Sequence, residues 1–323
     1  MVFSSGAKIT ADIIEEIATK LIATTTPGTY WTDITVTDPG ATAWTTITKT
    51  ADNAKRALKY DNGVETLYFA LEVLNTYEGI YSPSWFYAKG IRVVVSSGWN
   101  SGTHTYSGSI QSTFVPFEMC YTCGVTGDLQ TIMITYFLWV ESNGFVVMGK
   151  PEPFTGDTYQ QSFILVIERT DTVNKRYADG YSNFFVYKTC NMYPLLYDGT
   201  HAVTLIRDRL ILRPFAYQWP DDTGQYAGSY NGYGMSFSPL PSYYAYKSTG
   251  NGKVYYLKPI INNQANQLTP IFQSNLFFLW SEGAGLIDGD VVAIQGQPTK
   301  FLCKALDSPD STNRITYAIK YVG

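Results

Sequence analysis

The spacing of apolar positions gives one helix at the start of the chain and strands after it. Within Thr10 to Ile22, Ile13, Ile14, Ile17 and Leu21 recur at intervals of three and four, which puts them on one face of an α-helix. Thr10 suits the N-cap position, while Asp12 in the first turn and Lys20 in the last complement the helix dipole. Thr24-Thr25-Thr26-Pro27-Gly28 then ends it, because β-branched residues and proline do not continue a helix. The apolar face carrying Ile13, Ile17 and Leu21 must be covered, either by the chain's own β body or by a neighbouring subunit on which it docks.

Beyond the helix the period falls to two. Asp61-Asn62-Gly63 separates Ala57-Leu58-Lys59-Tyr60 from Thr66-Leu67-Tyr68-Phe69, and Ser142-Asn143-Gly144 separates the run ending at Val140 from Phe145-Val146-Val147-Met148. An Asn-Gly pair accepts the positive φ angles of a tight hairpin turn. Gly250-Asn251-Gly252 and Gln295-Gly296-Gln297 read as two further hairpin turns. Ile315 to Val322 alternates as a strand with one buried face. Repeated short strands with turn signals between them predict a mainly β fold of antiparallel sandwich- or barrel-like domains, with one N-terminal amphipathic helix. Residues 149–156, rich in proline and glycine, divide the chain into 1–150, a helix plus β domain, and 151–323, a second β domain with a Tyr/Gly-rich loop. The same stretch also reads as a long loop inside one body.

Composition narrows the function classes. Charged residues are 15% of the 323, below the usual quarter, and aromatics are also 15%, led by 26 Tyr. A chain this apolar folds, and a net charge of -4 supplies no electrostatic footprint for nucleic acid. The first eight residues lack the basic patch and apolar run of a signal peptide, and no apolar run approaches the roughly 20 residues that span a bilayer. The expectation is folding in a cytoplasm, with neither membrane nor nucleic acid as partner.

Candidate chemistry is thin. Cys120-Tyr-Thr-Cys123 has the spacing of half a zinc site, but Cys190, Cys303, His104 and His201 stand alone, and the motif lies at a strand and turn. Nucleotide-binding, zinc-protease and serine-hydrolase signatures are absent from the sequence. Asp221 and Asp222 beside Trp219 are the place to look for paired glycosidase carboxylates. Asp288, Asp290, Asp307 and Asp310 lack the EF-hand spacing for calcium. No catalytic residue, metal or cofactor is expected. Thr223 to Tyr246, by contrast, is dominated by Gly, Ser and Tyr, the composition of an adaptable contact loop. Its Tyr226, Tyr230, Tyr233, Tyr243 and Tyr244, together with Ile13, Ile17 and Leu21, form the expected contact surface.

The helix leading into Tyr30-Trp31-Thr32 and Trp44-Thr45-Thr46 is one of several features that share a style. The others are the aromatic strands around Ser84-Trp85-Phe86-Tyr87 and the C-terminal run Gly289-Asp290-Val291-Val292, Lys300-Phe301-Leu302-Cys303 and Ser311 to Ile319. In these the chain resembles virion structural proteins of tailed bacteriophages, of the tail, baseplate, neck or collar type. The resemblance implies an all-β, non-enzymatic subunit of a virion assembled in the host cytoplasm. Its partners would be copies of itself and other virion proteins. The alternative is a receptor- or carbohydrate-binding tail-tip protein, with Tyr226, Tyr230, Tyr233, Tyr243 and Tyr244 stacking on a host-surface glycan and Asn231 fixing its hydroxyls. A polysaccharide depolymerase using Asp221 or Asp222 stands third, since the long β-helix repeats of tailspike enzymes are missing.

Overall fold

The computed structural model describes residues 1–23, 30–37, 54–74, 87–120, 133–151, 158–160, 162–169, 181–190, 202–207, 210–211, 215–216, 233–234, 244–247, 250, 253–255, 260–263, 270–280, 285–294, 298–306 and 315–322. The fold is mainly β, with antiparallel sheets packed as in a sandwich and the helix at the N-terminus.

The first elements in chain order are β1 (Val2–Lys8), α1 (Thr10–Ala23), β2 (Trp31–Asp33), the single turn α2 (Ile34–Thr37), β3 (Lys55–Asp61) and β4 (Thr66–Leu74). Then come β5 (Tyr87–Asn100), β6 (Thr105–Cys120), β7 (Ile134–Glu141), β8 (Gly144–Pro151), β9 (Thr158–Gln160) and β10 (Phe163–Arg169). β11 (Tyr181–Cys190), β12 (Ala202–Arg207), β13 (Leu210–Ile211) and β14 (Phe215–Ala216) complete this part. One sheet runs β1-β7-β8-β10-β11-β12-β13, with β14 also on β12; a second runs β2-β3-β4-β5-β6-β9. β8 and β10 are hydrogen-bonded neighbours, Phe163 lying opposite Gly149. Between them in the chain comes β9, which pairs with β6 of the second sheet.

The two sheets face each other and α1 props them apart at one side. α1 packs on β1, β7 and β8 from one sheet and on β2, β3 and β4 from the other, while β6 runs directly against β8, β10 and β11. Ile13, Ile14, Ile17 and Leu21 are each 0% exposed. They share one core with Leu58, Tyr60, Phe69 and Val93 of the second sheet and with Leu138, Phe145 and Leu165 of the first. Helix formation follows the expected periodicity, with the start shifted by one residue: the Ile13 N–H donates to the Ile9 carbonyl, which makes Thr10 the first helical residue. Trp31 ties the layers together, since its indole N–H donates to the Ser142 carbonyl at 2.8 Å.

Both expected hairpins of this region form. β3 and β4 are joined through Asn62 to Glu65, and the Asn62 side chain accepts from the N–H groups of Val64 and Glu65. β7 and β8 are joined by Ser142-Asn143 alone. Gly144, at φ +145°, is required there because a Cβ would sit 1.9 Å from the Ile167 carbonyl oxygen of the adjoining strand.

The C-terminal part holds β15 (Tyr233–Gly234), β16 (Tyr244–Lys247), β17 (Val254–Tyr255), β18 (Ile260–Asn263) and β19 (Pro270–Gln273). β20 (Phe277–Trp280), β21 (Val291–Ala293), β22 (Lys300–Leu306) and β23 (Ile315–Tyr321) follow. A sheet in the order β17-β16-β20-β23-β22-β21 encloses its own small core of Phe278, Trp280, Val292, Phe301 and Cys303. It lies against the first sheet on the face opposite α1: Lys320 reaches Glu141 at 2.9 Å, the Lys304 ammonium sits over the Phe137 ring, and Phe3 meets Tyr321 edge-on. Trp139, Val146, Met148, Ile164 and Val166, whose side chains point away from α1, are accordingly 0% exposed.

Truncating Ile17 to Ala should cost about 2–5 kcal/mol, because the pocket it leaves lies between two sheets and a helix. Thr19→Ala, on the exposed side of α1, should change stability by less than about 0.5 kcal/mol. Urea unfolding of both variants checks this; an undisturbed Ile17→Ala midpoint would show that α1 does not wedge the sheets.

Candidate functional site

The structure separates the expected contact residues. Ile13, Ile17 and Leu21 are enclosed by the chain's own sheets, so the helix face is not a docking surface. This corrects the expectation of an exposed contact there; a stripe of this width fits between two sheets as well as on a neighbour. Tyr226, Tyr230 and Tyr243 lie outside the described residues, as do Asn231, Asp221, Asp222, His201 and Cys123. Tyr233 is in β15, which pairs with β18, and Tyr244 is in β16, which pairs with β17 and β20, so these two tyrosines belong to different sheets.

The remaining sequence candidates are taken up locally. Asp288 accepts the Ala305 N–H at 2.7 Å, and Asp290 accepts the Ile287 N–H at 3.0 Å, so both carboxylates brace the turn into β21. Cys303 is buried beside them; burial first, then the Asp290 and Asp288 charges, push its thiol up to about 12. A thiol held protonated is a poor nucleophile. His104 closes the β5–β6 turn with φ +55°.

What the sequence reading missed is β1. It forms the end of the first sheet, paired with β7 from Val2 opposite Val140 to Lys8 opposite Ile134. Ser5, Gly6 and Ala7 are exposed in succession. Beside it, Lys8, Asp12, Glu15, Glu16, Thr19 and Lys20 line a shallow concavity of about 460 Å³. Glu16 is its centre. One carboxylate oxygen accepts from Lys8 at 2.6 Å and from the Tyr136 hydroxyl at 2.5 Å, and the other lies 3.3 Å from Lys20. Burial acts to raise the Glu16 pKa, but the hydrogen bonds, led by Lys8, outweigh it and hold the carboxyl at about 2. Deeper in, Arg56 bridges Asp33 of β2 to Glu15 of α1.

Two further polar groups join layers. On the outer face of the second sheet, Glu72 lies between Lys55 and Arg92 and accepts from the Arg92 guanidinium at 2.6 Å. It also accepts from the Tyr106 hydroxyl at 2.7 Å, although Tyr106 pairs with Trp99, seven residues beyond Arg92 and about 23 Å away along a straight strand. The end of the β5–β6 hairpin therefore doubles back over its own sheet. Register slips between Ser96 and Gly98, and Gly108 takes φ +73°, where a Cβ would meet Ser97 Oγ at 2.4 Å. Trp99 and Tyr106 come to rest on Ile34, Ala57, Ala70 and Val94.

On the other side, Glu168 of β10 is 1% exposed and accepts from Ser274 Oγ and the Asn275 N–H, both at 2.7 Å. Burial pushes its carboxyl up to about 8; the Ser274 and Asn275 hydrogen bonds oppose this, the Glu141 charge adds to it, and the Lys320 charge opposes it. Comparison with protein-family profiles, curated proteins and solved structures gives no match to this chain.

Folding favours the protonated form of Glu168, so its contribution to stability is full below its ordinary value of 4.5 and falls as pH rises toward about 8. Glu168→Gln should thus be more stable than the parent at pH 8 and lose that advantage below 4.5, as read by chemical unfolding across that range. Tyr106→Phe should cost about 1–3 kcal/mol and speed amide hydrogen exchange across 97–108. Exchange unaltered there would place the hairpin's hold elsewhere.

Proposed function

We propose that the chain is a structural subunit of a tailed-phage particle, in its tail, baseplate or neck, and that it acts through protein contacts without catalysis. The observation that carries this reading is the use made of buried charge. Among the described residues, the buried carboxylates are Asp33, Glu72, Glu141 and Glu168. Asp33 is held by Arg56. Glu72 is held by Arg92, Lys55 and Tyr106. Glu141 is held by Lys320 and the Trp139 indole N–H, and Glu168 by Ser274 and Asn275.

A catalytic carboxylate needs a face turned to substrate, within hydrogen-bond reach of the reacting group. These four are turned to their own chain instead, each fastening one element to the next. The product of such ties is a stiff stack of layers. A stiff, weakly charged, aromatic-rich body suits repeated contacts, because interface cores favour aromatics and exclude Lys, Glu and Asp. Copies of the chain, arranged in a closed symmetric array with other virion proteins, would give that body its use.

Mass spectrometry of particles banded from the source culture should find the chain at a fixed ratio to the other virion proteins, and labelled antibody should decorate the tail or neck. Particles without the chain would sink the proposal.

A further inference from the structure

A sheet's outermost strand presents unpaired N–H and C=O groups, and proteins commonly blunt such edges by keeping them short. The described sheets follow that practice at nearly every end. β13, β14, β15 and β17 are two residues long, β2, β9 and β21 three, and β19 four. β1 is the exception, with seven residues at the end of its sheet. Between Val2 and Ala7 it carries neither charge nor proline. Ser5, Gly6 and Ala7 stand exposed, and so does Val2 at the other end.

We propose that β1 pairs along this edge with β1 of a second copy of the chain, antiparallel, about a two-fold axis at Ser5. This rests on the assembly reading above and names one of its partners. Ser5 is the midpoint of β1, so full overlap sets Ser5 against Ser5, Ser4 against Gly6, Phe3 against Ala7 and Val2 against Lys8. Charge selects this arrangement. Lys8 is the strand's one charged residue, and antiparallel pairing keeps the two lysines at opposite ends, about 20 Å apart. Parallel pairing would set Lys8 beside Lys8, a destabilising like-charge contact. Each Lys8 stays bound to its own Glu16, so no cation is stripped of its partner. Small residues at Ser4 to Ala7 let the second strand approach without a clash of side chains. The contact is self-complementary and closes on itself, so it gives a discrete dimer and not a fibre. It also joins the two eight-stranded sheets, edge to edge, into one.

The test uses the full chain. Sedimentation at tens of micromolar should show a dimer. Ser5→Cys should form a disulfide-linked dimer under mild oxidation, while Val64→Cys, 90% exposed on the β3–β4 turn of the other sheet, should not. Ser5→Lys places two like charges at the axis and should weaken the dimer at least about tenfold, with a melting temperature equal to the parent's when both are measured dilute enough to be monomeric, Ser5 being exposed. A monomer at these concentrations overturns the pairing. So does a dimer indifferent to Ser5→Lys, or one that Ser5→Cys does not cross-link, since another face or another register would then hold it. Particle incorporation separates this outcome from the wider one: a monomeric chain found in particles refutes the pairing alone, whereas a β1-paired dimer absent from particles refutes the virion reading alone.

Discussion

Apart from the exposed pair Thr135 and Lys150 at one end, strands β7, β8 and β10 have no side facing water. Phe145, Val147 and Leu165 point toward α1, while Val146, Met148, Ile164 and Val166 point away from it, and all seven are buried completely or to within 1%. Antiparallel strands usually keep one wet face and alternate accordingly. Here both faces are apolar, so two covers are needed. The α1 wedge and the second sheet supply one, and the sheet built around β20, β22 and β23 lies against the other. The layered body follows from this double burial, and so does the distribution of charge within it, because any ionisable group caught between layers must be paired or neutral.

Two glutamates show how position decides which of these applies. Glu16 sits at the rim, in reach of Lys8, Lys20 and the Tyr136 hydroxyl, and is held ionised with its pKa at about 2. Glu168 sits between layers with a serine hydroxyl and a backbone N–H as its hydrogen-bond donors, and burial carries it to about 8. The side chains are identical, and the difference lies in the surroundings. At the rim the cations are supplied by long, half-exposed lysines that keep their own hydration. Behind Ser274 the cation whose charge acts on Glu168, Lys320, is bonded to Glu141. A neutral carboxyl at this joint keeps the layers together, and ionisation there works against it.

Periodicity made much of this legible. Helix α1, the β3–β4 and β7–β8 hairpins and the closing strand β23 stand where the apolar spacing puts them, because each has a strong local signal: a three-four stripe, an Asn-Gly turn, or strict alternation. The helix's partner was not legible, since Ile13, Ile17 and Leu21 read the same whether a neighbour or the chain's own sheets cover them. β1 escaped notice because Ser4, Ser5 and Gly6 dilute its pattern, and its structure comes from pairing with β7, far along the chain. The layer joints left a fainter trace. Glu72 within Phe69-Ala70-Leu71-Glu72-Val73-Leu74, and Glu168 after Phe163-Ile164-Leu165-Val166-Ile167, are single acids in apolar runs, and such an acid is either an edge marker or a buried tie. Choosing between the two requires knowing what lies opposite, which one strand cannot tell. The doubling back at Tyr106 depends on Gly98 and Gly108, whose role appears only once both are placed across the same hairpin.

The use of α1 inside the body has a consequence for assembly. A helix with an apolar face is a ready surface for another subunit, but here that face is spent on separating two sheets, and removing it would open the core. In the assembly we propose, contacts between copies would therefore use what the core does not need. Short outer strands offer few free backbone groups, and the buried carboxylates are already bonded within the chain. The long outer strand β1 is different: β7 satisfies its inner edge, and among the described residues no strand pairs with its outer edge. That division, an interior closed by its own helix and a long strand at the sheet's end, is what the proposed pairing of two copies would use.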